Sequence, residues 1–191
     1  MSLHDSQTSH LKLTSFKIRC ADIGDIISLI DLNRRWQKTN LESLKNGFLS
    51  AEFGYDTFLA LVQNKEIVIA EIEGNIAGYY LVNNYSIDGI LIRHQKMVDD
   101  LIAKSLIPIN SKVGLGVQVL IDLNYQGIGL MDKMLHYLIN LMAHKYEFLF
   151  STISKENQKS LSAHIRSNWR VVDEIDNIYC IIYGVVIKNK F

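Results

Sequence analysis

In IDLNYQGIGLMDKML, residues 121–135, an apolar strand-like run ends, two glycines follow one residue apart, and a helical pattern begins. A strand joined to a helix by a glycine turn demands a mixed α/β arrangement. It also leaves the first N–H groups of the helix unpaired, with the positive end of its dipole behind them. Glycine adds room for a phosphate at that point. A second pair, GLG at 114–116, has the same spacing but falls inside the strand expected over KVGLGVQVLIDL, 112–123, so spacing alone carries no meaning. A dinucleotide fingerprint needs a third glycine where Asp132 stands, and a P-loop needs a Gly-Lys pair that the chain lacks. The bland alternative is that Gly127 and Gly129 only let strand and helix pack closely.

The rest of the chain supplies the elements of such a fold. FKIRCA (16–21) reads as a strand. Residues 22–38 read as a helix with Asp22 as N-cap and Ile23, Ile26, Ile27, Leu29, Ile30 and Leu32 on its apolar face. Helical regions are expected over 41–49, 55–64 and 88–104. EIVIAEIE and NIAGYYLVNN flank a turn at Glu73-Gly74-Asn75 and form the clearest hairpin. Leu130, Met134, Leu135, Leu138 and Leu141 mark a helix over 127–144. A strand (146–153), a helix (155–168) and two closing strands, WRVVDEI and IYCIIYGVVIK, complete the order. Helices packed on a mixed sheet are the natural architecture.

At 191 residues, with 48% hydrophobic and 21% charged residues, the chain suits one compact domain over 15–191, preceded by a flexible polar lead-in over 1–14. Twenty basic residues balance twenty acidic ones, which argues against nucleic-acid or membrane partners held by charge. Cys20 and Cys180 form no CxxC or Cys/His cluster, so no metal is expected and a reducing compartment suits the pair. The polar N-terminus and the lack of a long apolar stretch make the cytoplasm the expected location.

NYQGIG (124–129) resembles the Q/R-x-x-G-x-G/A signature of the GNAT superfamily of N-acetyltransferases. Asn157, Ser160, His164 and the pair Asn168-Trp169 follow a second pattern of that family, N-x-x-A-(x)-Y-x-x-x-G-F, and the hairpin IAEIEGNIAGYYLV (69–82) resembles its second and third strands. The resemblance runs over about residues 16–187. It departs at Asn124, where Gln or Arg is usual, at His164, where Tyr is usual, and at Thr152, where some relatives carry a carboxylate.

The resemblance implies a single-domain GNAT-like α/β (α+β) fold: a central mixed, mostly antiparallel twisted sheet of about seven strands, flanked by helices. It implies direct transfer of an acetyl group from acetyl-CoA to the amine of a small molecule or peptide, with a homodimer compatible. The pyrophosphate would rest on backbone N–H groups of Tyr125, Gln126, Gly127, Ile128, Gly129 and Leu130. The pantetheine arm would lie along Val117, Gln118 and Val119, with a strand N–H polarising the thioester carbonyl. Asn157 would bond the cofactor, cap its helix, or both. Tyr79, Tyr80 and Tyr85 are candidates to line an acceptor pocket, and Asp122, Glu71 and Glu73 are candidate bases. His164, in the tyrosine's place, is expected to protonate the departing thiolate; its plain alternative is a helix histidine facing solvent. Two rival readings stand beside this one: a CoA-binding module of the same fold without turnover, and an unrelated α/β domain whose glycine turn is only structural.

Overall fold

The computed structural model describes residues 15–84 and 89–185; the expected lead-in over 1–14, Tyr85, and the end of the last expected strand lie outside them. The described chain runs β1 (Phe16–Cys20), α1 (Ile26–Arg35), α2 (Tyr55–Gln63), β2 (Ile67–Ile72), β3 (Asn75–Val82), α3 (Gly89–Ala103), β4 (Val113–Gly114), β5 (Val117–Ile121), α4 (Leu130–Met142), β6 (Phe148–Ser154), α5 (Gln158–Arg166), β7 (Arg170–Ile175) and β8 (Ile178–Gly184). The 41–49 region forms no α-helix; short 3-10 turns occupy Lys38–Asn40 and Leu44–Asn46. Among the described residues no helix is long and apolar enough to cross a membrane.

Two four-stranded sheets form, in the orders β1-β2-β3-β5 and β4-β6-β8-β7. All pairings are antiparallel except β4 with β6. β2 and β3 are buried on both faces, which is why their sequences are nearly continuous apolar runs. Val68, Ala70, Tyr80 and Val82 face α4, whose Leu130, Met134, Leu135, Leu138 and Met142 are buried against them. Ile67, Ile69, Tyr79 and Leu81 face α1 and α2. A third cluster seats Leu91, Met97, Val98 and Leu101 of α3 on Phe150, Cys180 and Ile182 of the second sheet.

The expected helix over 22–38 is built as a 3-10 turn, Ile23–Asp25, followed by α1. Asp22 does cap it, accepting from the Gly24 N–H while the Asp25 carboxylate accepts from the Asp22 N–H. Its inward face is shifted, however. Ile23 and Ile27 are each 62% exposed, while Asn33 is fully buried on the inner side.

The strand expected over 112–123 is divided. Val113 and Gly114 pair with β6, whereas Val117–Ile121 pairs with β3 in the other sheet. Leu115 and Gly116 carry the chain across, and the sheets part there. Gly116 has φ +60°, and a Cβ on it would lie 2.6 Å from the Asn83 carbonyl oxygen. The second glycine of GLG, expected inside an ordinary strand, is therefore the one that makes the crossing.

Gly116→Ala is expected to destabilise the fold by about 1–3 kcal/mol, the cost of a left-handed non-glycine residue under steric load. Gly127→Ala, where a Cβ meets nothing within 4 Å, is expected to cost less. Urea unfolding of the two variants checks the contrast; equal midpoints for Gly116→Ala and the parent would show that the crossing tolerates a side chain.

Candidate active site

β5 is an edge strand of the first sheet beside the parting. Its pairing with β3, continued by the Asp122 N–H donating to Ala77 at 2.9 Å, turns the backbone groups of residues 118, 120 and 122 toward β3. Those of Val117, Val119 and Ile121 consequently face the gap. The Ser151 hydroxyl donates to the Val117 carbonyl at 2.8 Å, and the Gln126 amide donates to the Ile121 carbonyl at 2.9 Å. Val119 lies between these two staples, in the middle of a strand edge that has no ladder partner among the described residues.

At the end of β5 the chain makes a 3-10 turn over Leu123–Tyr125 and enters α4 through Gly127 (φ +84°) and Gly129 (φ +80°). No side chain caps the helix. The Tyr125 and Gln126 N–H groups are spent within the turn, on Asp122 and Leu123. The N–H groups of residues 127–132 find no acceptor among the described residues. The open amides thus begin and end two residues later than the expected 125–130. Close packing does not explain the glycines, since a Cβ at either would meet nothing within 4 Å. Their left-handed φ and the clear space before them do.

That space is a cleft of about 310 Å³, lined by Val119, Leu120, Ile121, Gln126, Gly127, Gly129 and Leu130 on one side and by α5 on the other. Tyr125 and Ile128 do not line it: Tyr125 packs against the core and Ile128 is 51% exposed. Lys159 and Arg166, which the sequence reading missed, bring positive charge to its wall. Asp132 also lines it, with its carboxylate accepting from the Ser167 hydroxyl.

A second cavity, of about 130 Å³, opens on the other side of the gap and includes Val117, Gln118, Thr152 and His94. Both cavities share Phe48, Leu49, Val119, Asn157, Ser160 and His164. The loop carrying Phe48 and Leu49 is stitched across the parting. Leu49 exchanges backbone hydrogen bonds with Trp36 and Lys38 (2.8 and 3.1 Å), and the Asn157 amide donates to the Phe48 carbonyl at 2.9 Å. The Asn157 side-chain oxygen accepts from the Ser160 N–H at 3.2 Å, capping α5. Asn157 therefore positions the wall between the cavities, and its cap role is the one its bonds express.

Gln118, expected to offer its backbone to the pantetheine arm, turns those backbone groups toward β3. Its side chain joins a buried neutral network, accepting from the Tyr79 hydroxyl (2.5 Å) and Asn33 (3.0 Å) and donating to Ala51 (3.2 Å). Tyr79 and Tyr80 are fully buried in the two core clusters and line neither cavity. The three carboxylates considered as bases are also elsewhere: Asp122 pairs with Arg35, Glu71 pairs with Arg19, and Glu73 sits in the hairpin turn. No group of three or more His, Cys, Asp or Glu is placed to hold a metal among the described residues.

His164 stands where the cavities meet, 5% exposed, with its ring packed edge-to-face on Trp169. Its Nδ1 lies 2.8 Å from the Ser160 carbonyl. A carbonyl only accepts, so Nδ1 carries the hydrogen, and in the neutral ring the lone pair is on Nε2. Burial lowers its pKa to about 4, partly offset by the Ser160 bond. An imidazole with that pKa is protonated only to about one part in a thousand at pH 7. A ring held neutral in this way does not favour the expected role as proton donor to the thiolate at neutral pH.

Comparison of the sequence finds no matching family model and no matching curated protein. Comparison of the structure finds the GNAT acetyltransferase fold. A GNAT-family acetyltransferase of Listeria monocytogenes has a TM-score of 0.61 at 16% identity, over 88% of this chain and 94% of that one. The yncA protein of Salmonella typhimurium, solved with its cofactor acetyl-CoA, scores 0.61 at 15% identity over 92% and 96%. PaiA N-acetyltransferase of Thermoplasma acidophilum, in complex with coenzyme A, scores 0.60 at 13% identity over 89% and 99%.

Because His164 is neutral when folded but has an ordinary pKa of 6.5 when unfolded, the unfolded chain binds the extra proton between pH 6.5 and 4. The stability that this residue contributes is complete above pH 6.5 and falls toward pH 4, by about 1.4 kcal/mol per pH unit and about 3 kcal/mol in all. His164→Gln should flatten that acid limb in chemical unfolding measured across pH 4–7. An unchanged slope would place the titration elsewhere.

Proposed function

We propose that this chain, built on the fold of the GNAT acetyltransferases, binds acetyl-CoA in the larger cleft and passes its acetyl group to an amine in the smaller one. The observation that supports this best is the run of open N–H groups over 127–132, of which residues 127 and 129–132 line the cleft, beside the free edge of β5. A helix N-terminus with glycine clearance suits a pyrophosphate, whose charge it meets with backbone donors alone. Lys159 and Arg166 add screening charge on the facing wall. The outward Val119 N–H and C=O suit the amide groups of a pantetheine arm laid as a strand in the gap.

Acetyl-CoA supplies an acetyl group already activated as a thioester. The chain's part is to hold and orient it. Val119 offers a donor where the two cavities join, and Phe48, Leu49 and the neutral His164 form an apolar wall that keeps water back. The second cavity's modest size favours a small amine or the amine end of a peptide. A second reading, a CoA-binding module without turnover, is favoured by one observation: the neutral His164 stands where the family's tyrosine would offer a hydroxyl.

Calorimetry with acetyl-CoA and thiol release across an amine panel separate the two readings, since the module binds but releases no thiol. Gly127→Val should cut acetyl-CoA affinity by about tenfold or more, because a branched side chain fills the cradle. A folded Gly127→Val variant with parental affinity would move the site elsewhere.

A further inference from the structure

The transfer reading needs a group to take the proton that an attacking amine sheds. Among the described residues lining the smaller cavity, His94 and His164 are the titratable side chains. His164 is a poor acceptor, its pKa held down to about 4 and its Nδ1 already bonded to Ser160. His94 is differently placed. It lies on α3, between Leu91 and Met97 in the stripe that seats this helix on the second sheet, and it is 7% exposed. Its ring stands edge-to-face on Phe150, and its Nε2 lies 3.1 Å from the Thr152 Oγ1, which also lines the cavity. Thr152 occupies β6 next to Ser151, whose hydroxyl holds the Val117 carbonyl at the mouth of the gap. The pair thus stands on the acceptor side of the parting.

We propose that His94, acting through the Thr152 hydroxyl, takes the proton released by the acceptor nitrogen. The inference rests on the transfer reading above. In the tautomer with hydrogen on Nδ1, the His94 Nε2 accepts the Thr152 O–H. The nitrogen lone pair forms the new C–N bond while the C–S bond breaks and its electron pair passes to sulfur. Thr152 Oγ1 takes the proton leaving nitrogen and gives its own to Nε2. Sulfur gains a proton from solvent as CoA departs, and the imidazolium returns one to solvent. In this relay the basic group sits one hydrogen bond behind the threonine, on a helix that packs against the second sheet.

The test uses the full-length chain, acetyl-CoA, and benzylamine or alaninamide as acceptor. His94→Gln should slow turnover by about 10²–10⁴-fold, the usual worth of a positioned base, while calorimetric acetyl-CoA affinity stays near parental. Added imidazole should return a large part of the lost rate. Thr152→Val should lose a comparable amount, Thr152→Ser should recover most of it, and the double variant should be no slower than either single, because both belong to one relay. Without any turnover, histidine-ring ¹⁵N resonances of the chain provide a second readout. Thr152→Val should move the His94 signal, and Thr152→Ser should largely restore it. Parental turnover in His94→Gln, or in a folded Thr152→Val, would overturn the relay while leaving the transfer reading intact. A parent that releases no thiol with either acceptor would remove the transfer reading and the relay with it.

Discussion

At Leu115-Gly116 the chain leaves one sheet and enters the other, and the remaining architecture of the site depends on that crossing. A continuous strand would hold β5 and β6 in one ladder and close the gap. Gly116, at φ +60° and pressed against the Asn83 carbonyl, breaks the ladder. The edge of β5 that this exposes carries three outward residues, two of them tied by Ser151 and Gln126 at their carbonyls. An open sheet edge is ordinarily a liability. Here it is short, sheltered by the 46–49 loop, and set between two cavities.

The gap is held open by polar contacts rather than by core packing. Asn157 ties α5 to the loop through Phe48, and Trp36 and Lys38 tie the same loop to the end of α1. On the far face of β5, Gln118, Asn33, Tyr79 and Gln37 form a neutral network around the Ala51 carbonyl. Burial raises the Tyr79 phenol well above its ordinary pKa, so the network stays uncharged. A buried neutral network costs little once each group has a partner, and it fixes geometry that apolar packing leaves adjustable. The parting thus has hydrogen-bonded walls on both sides.

Much of this was legible in the sequence, and for identifiable reasons. The 67–82 hairpin and α4 declared themselves by β-branched runs, a turn glycine and helical spacing, all of them local signals. The glycines at 127 and 129 declared a strand-to-helix turn. Their φ values and empty surroundings were needed to choose between clearance and close packing. His94 left a signal that passed unnoticed: a histidine set into the stripe of Leu91, Met97, Val98 and Leu101. Lys159 and Arg166, seven residues apart on one helix, left another. The turns over 38–46 gave no comparable cue, because Lys38 and Asn46 are tied to Glu156 and Lys159, far away in the sequence.

The sequence by itself determined the order of elements, the glycine turn, and the short motifs that resemble the GNAT pattern, because periodicity and turn chemistry act over a few residues. Tertiary structure alone decided which glycine parts the sheets, which amides remain open, and which polar side chains reach a cavity. It also decided the state of His164. Its place four residues after Ser160 is written in the sequence, but its neutrality comes from burial beneath Trp169, and burial is a property of the folded whole.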